Sequence, residues 1–115
     1  MNPPAPARGD VWLVDLDPTR GREQAGKRPA VILSADALNR SLAQLVIVLP
    51  VTSKKKAIRS HVRVDPPEGA FKITSFIKCE DIRSVATERL IRRWGRVSVS
   101  TMQAVEQTVR MLLEL

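Results

Sequence analysis

A glutamate set among arginines and lysines is the first feature of this sequence that suggests chemistry. Residues 20–29 read RGREQAGKRP, which places Glu23 among Arg20, Arg22, Lys27 and Arg28. Cations in such a cluster bind a phosphate and stabilise charge developing on it, while the carboxylate can accept a proton. That suits a phosphodiester site. Taken alone, the stretch reads equally as a solvated charged loop, the commoner fate of a charge run. Residues 50–56 read PVTSKKK, so the hydroxyls of Thr52 and Ser53 close an apolar run and Lys54, Lys55 and Lys56 follow. Hydroxyls at a strand end donate to phosphate and lysines add charge, although an ordinary polar strand end looks the same.

Other chemistries are poorly served. The chain has no glycine-rich phosphate loop and no GxSxG elbow. One histidine, His61, rules out a two-histidine ribonuclease, and one cysteine, Cys79, makes no metal framework. The expectation is no metal and no cofactor. Cys79 reads as a small buried strand residue, and His61 as a surface residue at the start of a strand. The net charge of +7 favours a polyanionic partner. Aromatic residues make up only 3% of the chain, with no tyrosine, which argues against a base-stacking sheet.

The elements that must position these residues are short. The 115 residues imply one domain. Residues 1–7 carry three prolines and read as an extended, flexible leader, leaving 8–115 as the folded unit. No apolar run is long enough to span a membrane, and the expectation is a cytoplasmic protein. Strands are predicted over 10–17, 29–33, 45–51, 61–64, 73–82 and 90–97. The polar loop 18–27 is longer than a hairpin needs, as functional loops often are. Residues 34–41 read as a short helical turn capped by Ser34. Residues 100–115 read as a helix with Ser100 and Gln103 as a capping box. Its stripe of Met102, Val105, Val109 and Leu112 is expected to pack on the domain's own sheet. This is a mainly β (α+β) pattern, a small bent antiparallel sheet or barrel with a short helix and a C-terminal helix.

Residues 8–34, RGDVWLVDLDPTRGREQAGKRPAVILS, resemble the opening of the MazF/PemK toxins, whose pattern GDVWxVDxDPTxGxEQxGxRPxVxLS they follow almost unbroken. PVTS at 50–53 resembles the second motif of that family, and KCEDIRSVATERL at 78–90 the third. The resemblance spans residues 8–115. It implies an SH3-like barrel acting as a homodimer. It also implies metal-independent cutting of single-stranded RNA at short sequences, and inhibition by a cognate antitoxin with an acidic C-terminal segment. Carried over, the family's essential arginine falls on Arg28, its threonine on Thr52 and its loop glutamate on Glu23. The arginine and acid of the Kid-like branch fall on Lys78 and Glu80. Position 78 is lysine here, which loses the fork-like phosphate contact of an arginine. Asp81 stands where many relatives have glutamine, so the bases recognised are expected to differ.

RNA carries its own nucleophile, the 2′-hydroxyl, so cleavage through a 2′,3′-cyclic phosphate with a 5′-hydroxyl on the other product needs no metal. A guanidinium keeps its proton at neutral pH and is a poor general base. Arg28 therefore reads as the group that holds the nonbridging oxygens, Thr52 as a positioning donor, and Glu23 as the proton acceptor with Glu80 in second place. Arg20, Arg22, Lys27, Ser53, Lys54, Lys55, Lys56 and Asp81 read as RNA contacts. Two alternatives stay open: a noncatalytic nucleic-acid-binding barrel, and a CcdB-like toxin that poisons a gyrase by protein contact.

Overall fold

Strands that are apolar on both faces need cover on both sides, and a bent sheet with one long helix supplies it. The structure, a computed structural model, describes residues 5–17 and 26–115. In chain order the elements are β1 (Asp10–Asp15), β2 (Lys27–Ile32), α1 (Asp36–Asn39), β3 (Leu45–Thr52), β4 (His61–Val64), β5 (Ser75–Lys78), β6 (Arg83–Ala86), β7 (Leu90–Arg96) and α2 (Val99–Leu113). The strands lie in the order β4-β5-β3-β2-β1-β7, with β6 also on β3, and every pairing is antiparallel. The expected mainly β architecture with a C-terminal helix is therefore present. Among the described residues no pairing joins β4 to β7, so closure of the sheet into a barrel is not seen.

Alternation along the central strands divides the interior in two. Val11, Val31, Leu49 and Val51 join Ile77 and the α2 residues Met102, Val105 and Val109 in one core. Trp12, Val14, Ala30, Ile32, Val46 and Val48 join Val85 in the other. This accounts for the unbroken apolar run of β3, since each face meets a different core. Burying each such side chain stabilises the fold by about 1.5–3 kcal/mol. No helix among the described residues is long and apolar enough to cross a membrane.

Several boundaries differ from expectation. The strand predicted over 73–82 is only Ser75–Lys78, and a further strand, β6, follows it along the same edge of β3. Between the pairs Val51↔Ile77 and Val48↔Arg83 the facing chain uses more residues than β3 does, and the surplus forms the 3-10 turn Cys79–Asp81. Pro50 falls in this gap between the two pairings, where a missing N–H is tolerated. Ser34 does not cap α1. Ala35 occupies that position, and the Ser34 hydroxyl instead bonds Asn39 and accepts the Ile47 N–H at 3.0 Å. Helix α2 starts at Val99, and Ser98 rather than Ser100 is its cap, accepting the Thr101 N–H at 3.1 Å. Leu112, expected on the buried stripe, is 41% exposed. Of the expected leader, Pro6 is buried and the Ala7 N–H donates to Asp10 at 2.9 Å, so its last residues are tied to the sheet.

Candidate functional site

The first motif contains a buried acid. Asp10 opens β1 and is 4% exposed. Its Oδ2 accepts from the Ala7 N–H at 2.9 Å and the Trp12 indole N–H at 3.2 Å. Its Oδ1 faces Nε of Arg93 at 3.3 Å and Nε of Arg96 at 3.8 Å, both on β7. A buried carboxylate needs such donors. Here they hold Arg93 beside a cavity.

That cavity measures about 560 Å³. Arg28 and Pro29 border it from β2, Val51, Thr52 and Ser53 from the end of β3, and Arg92, Arg93 and Trp94 from β7. Its remaining wall is the segment from Ala70 to Ile73, together with Ser75. Two glycines permit this wall. Gly69 has φ +68°, and a Cβ there would come within 2.8 Å of the Phe71 ring. A Cβ on Gly95 would lie 3.0 Å from the Gly69 carbonyl carbon, so only a glycine lets β7 lie against the turn. Phe71 and Trp94 meet edge to face with centroids 6.2 Å apart. The Trp94 indole N–H is buried with no partner among the described residues.

The described charged residues that line the cavity are Arg28, Lys72, Arg92 and Arg93, all cationic. The Thr52 hydroxyl accepts the Lys54 N–H at 3.2 Å, and a hydroxyl that accepts can still donate its own hydrogen. That contact also turns the chain into the exposed lysines 54–56, which do not border the cavity. Lys27 lies elsewhere, in an open depression with Asp15, Asp17 and Arg89. Arg20, Arg22 and Glu23 fall outside the described residues.

The third motif forms a separate cluster. Glu80 accepts the Ser60 hydroxyl on Oε1 at 2.7 Å, and Oε2 lies 2.9 Å from Nε2 of His61. Burial pushes the Glu80 carboxyl up, but bonds from Ser60, its own backbone amide and His61 outweigh this and hold it below the ordinary value. Lys78 and Asp81 face each other at 3.7 Å, both largely buried. The His61 side chain is 4% exposed, not the surface residue expected. Cys79 is buried as expected, and desolvation, with the Glu80 charge, pushes its thiol up to about 12. Among the described residues no three potential metal ligands cluster. Directly paired residues share a sheet face. The pairs Thr52↔Phe76, Arg63↔Phe76 and His61↔Lys78 therefore put Thr52 on one face with Lys78 and His61. Thr52 thus borders both the cavity and this cluster's face, although Lys78, Glu80 and Asp81 do not line the cavity itself.

Comparison with known proteins matches the chain to a family. The profile of the PemK-like, MazF-like toxins of type II toxin–antitoxin systems covers residues 7–113. The chain belongs to that family. It is 37% identical over 113 residues to a protein of Mycobacterium tuberculosis named endoribonuclease MazF9, covering 94% of this chain and 96% of the relative. It is 31% identical over 109 residues to endoribonuclease EndoA of Bacillus subtilis, covering 94% of each. A solved MazF from Deinococcus radiodurans superposes with a TM-score of 0.86 at 24% identity, over 98% of this chain and all of that one. A mycobacterial endoribonuclease solved in complex with its cognate antitoxin superposes at 0.76 and 25% identity, over all of this chain and 97% of that one. Within this MazF/PemK-family chain, Lys72, Arg92, Arg93, Phe71 and Trp94 are the site residues that sequence reasoning passed over. The run Arg92-Arg93-Trp94 was the available signal, two cations beside an aromatic in a predicted strand.

Proposed function

We propose that the chain is the endoribonuclease toxin of a type II toxin–antitoxin pair and cuts single-stranded RNA, mRNA above all. The observation that carries this is the convergence of Arg28 and Thr52 on one cavity whose described charged groups are all cationic. Arg28 holds the nonbridging oxygens of the scissile phosphate and stabilises the charge of the transition state, and Thr52 donates its hydroxyl to the same phosphate. The RNA 2′-hydroxyl attacks phosphorus, and its proton passes to a carboxylate. Glu23 is that acceptor in our reading. Glu80 is the weaker choice, because its two oxygens already meet Ser60 and His61 and its carboxyl is held acidic. The P–O5′ bond breaks as Arg28 donates a proton to the leaving oxygen, giving a 2′,3′-cyclic phosphate and a 5′-hydroxyl, and the proton held by the carboxylate returns to the guanidinium. Lys54, Lys55 and Lys56 extend the cationic path away from the cavity. Lys78, on the face next to Thr52, is with Glu80 a secondary catalytic candidate, and Asp81, 3.7 Å from it, contacts a flanking nucleotide.

The working form in this proposal is a cytoplasmic homodimer whose sheets coil as SH3-like barrels. Its inhibitor is a cognate antitoxin with an acidic C-terminal segment that competes with RNA for the same cations. The test is to incubate the protein with a long RNA in excess EDTA and map the new 5′ ends. Discrete cuts carrying 5′-hydroxyls are expected. Intact RNA, or activity that returns only with added Mg²⁺, would refute this mechanism.

A further inference from the structure

We infer that the cavity beside Arg28 and Thr52 is a nucleotide subsite, which takes the base flanking the cut bond and thereby sets part of the cleavage sequence. The inference rests on the endoribonuclease reading above and goes beyond it by assigning roles to Phe71, Lys72, Arg92, Arg93 and Trp94.

The buried and the exposed lining of the cavity differ in character. Val51, Phe71 and Trp94 give an apolar, partly aromatic floor, while Lys72, Arg92 and Arg93 stand around it with Arg28. A flat apolar group that carries negative charge on both sides matches this surface, and a nucleobase between two phosphates is such a group. The volume of about 560 Å³ falls within the roughly 300–1,000 Å³ usual for small-molecule sites.

The spacing is also suitable. In the order β3-β2-β1-β7, Arg28 on β2 lies two strands from Arg92 and Arg93, and Thr52 on β3 lies three. At about 4.8 Å per strand the two cationic walls stand roughly 10–14 Å apart along the sheet before it bends. A phosphate held by Arg28 and Thr52 therefore directs its neighbouring base onto the floor and the next phosphate toward β7. Arg93 is fixed for that contact, because Asp10 holds its Nε at 3.3 Å and leaves the outer nitrogens of the guanidinium to a ligand. The sequence composition argued against a broad stacking sheet, and this cavity is compatible with that, since Phe71 and Trp94 are its only aromatic lining residues among the described residues.

Three variants test the subsite without disturbing the proposed chemistry at Arg28 and Thr52. Ile73→Trp, at a 59% exposed position on the rim, narrows the cavity. Trp94→Phe reshapes the floor and breaks no hydrogen bond among the described residues, where the indole N–H has no partner. Arg93→Gln removes the far cation while Asp10 keeps Arg96, Trp12 and the Ala7 N–H. Each variant is checked for folding by its melting curve. Cut sites of all four proteins are then mapped on one long RNA, and binding of a synthetic peptide rich in glutamate and leucine is measured alongside.

The expected result is that Ile73→Trp and Trp94→Phe change the base preference at one position flanking the cut by tenfold or more, leaving the other positions as they were. Arg93→Gln should also make the salt dependence of RNA binding shallower by about 0.7 in log–log slope, the loss of one phosphate contact. An unchanged cleavage profile in both cavity variants would overturn the subsite while leaving the endoribonuclease reading standing. An unchanged profile with weakened peptide binding would overturn it in favour of an anchor for an acidic protein segment. A wild-type protein that cuts no RNA would bring down both readings together.

Discussion

Replacing Asp10 by alanine tests how the cavity wall is held. The carboxylate is buried and serves the Trp12 indole N–H, the Ala7 N–H and two arginines on β7. Alanine leaves the buried indole donor without a partner, at a cost of about 1–3 kcal/mol, and the part-buried Ala7 N–H adds about 1 kcal/mol. The Arg93 and Arg96 side chains are 47% and 57% exposed, so each ion pair adds at most about 1 kcal/mol. The total is about 2–6 kcal/mol, a large share of the roughly 5–15 kcal/mol that stabilises a domain. In urea, with a slope of about 1–3 kcal/mol per molar, the midpoint should fall by about 2 M. Trp12→Phe removes the stranded donor, so Asp10→Ala combined with Trp12→Phe should cost at least about 1 kcal/mol less than the two single changes added together. A midpoint shift under about 0.5 M for Asp10→Ala, or strict additivity in the double variant, would refute this account of the wall.

Arg28→Ala and Thr52→Ala should each slow RNA cleavage by about a hundredfold or more, the usual scale for a lost transition-state contact, with melting temperature nearly unchanged; wild-type rates in either would show that the roles were carried onto the wrong residues. Neutralising Lys54, Lys55 and Lys56 together should make the log–log salt slope of RNA binding shallower by up to about 2, at roughly 0.7 per phosphate contact, and an identical slope would place the lysines away from RNA. Glu80→Gln tests the Ser60–Glu80–His61 cluster by pH. Because the folded-state carboxyl is held below the ordinary 4.5, its stabilisation is complete above that value and is lost as pH falls through the folded-state value. The variant should therefore melt lower than wild type at pH 7 and converge with it below 4.5, as followed by thermal denaturation across pH; a gap that widens in acid would reverse the assigned sign.

Much of the architecture could be read from the chain because its signals are local. Alternation in β1, the all-apolar run of β3 and the three- and four-residue stripe of α2 each specify their own element. Errors arose where two local signals competed. Ser98 and Ser100 both stand at the start of the helix, and the Ser100–Gln103 pair suggested a cap two residues late. The segment 73–82 looked like one strand, because nothing in its pattern marks the point where β3 runs short and the chain must turn out through Cys79–Asp81. His61 looked exposed because a lone polar residue at a strand start usually is, whereas its bond to Glu80 depends on a segment nearly twenty residues away.

By itself, then, the sequence determined the family and the strand-rich class and singled out Arg28 and Thr52 as the candidate pair, since motif identity and hydrophobic period survive without knowledge of contacts. Tertiary structure decided what surrounds that pair. Lys72, Arg92, Arg93 and Trp94 reach the cavity only because β7 pairs with β1 and lies against the Gly69 turn. The role of Asp10 likewise appears only when β7 brings Arg93 and Arg96 to a carboxylate more than eighty residues earlier in the chain. Strand order and close backbone approach are properties of the packed sheet as a whole, and no local run of residues encodes them.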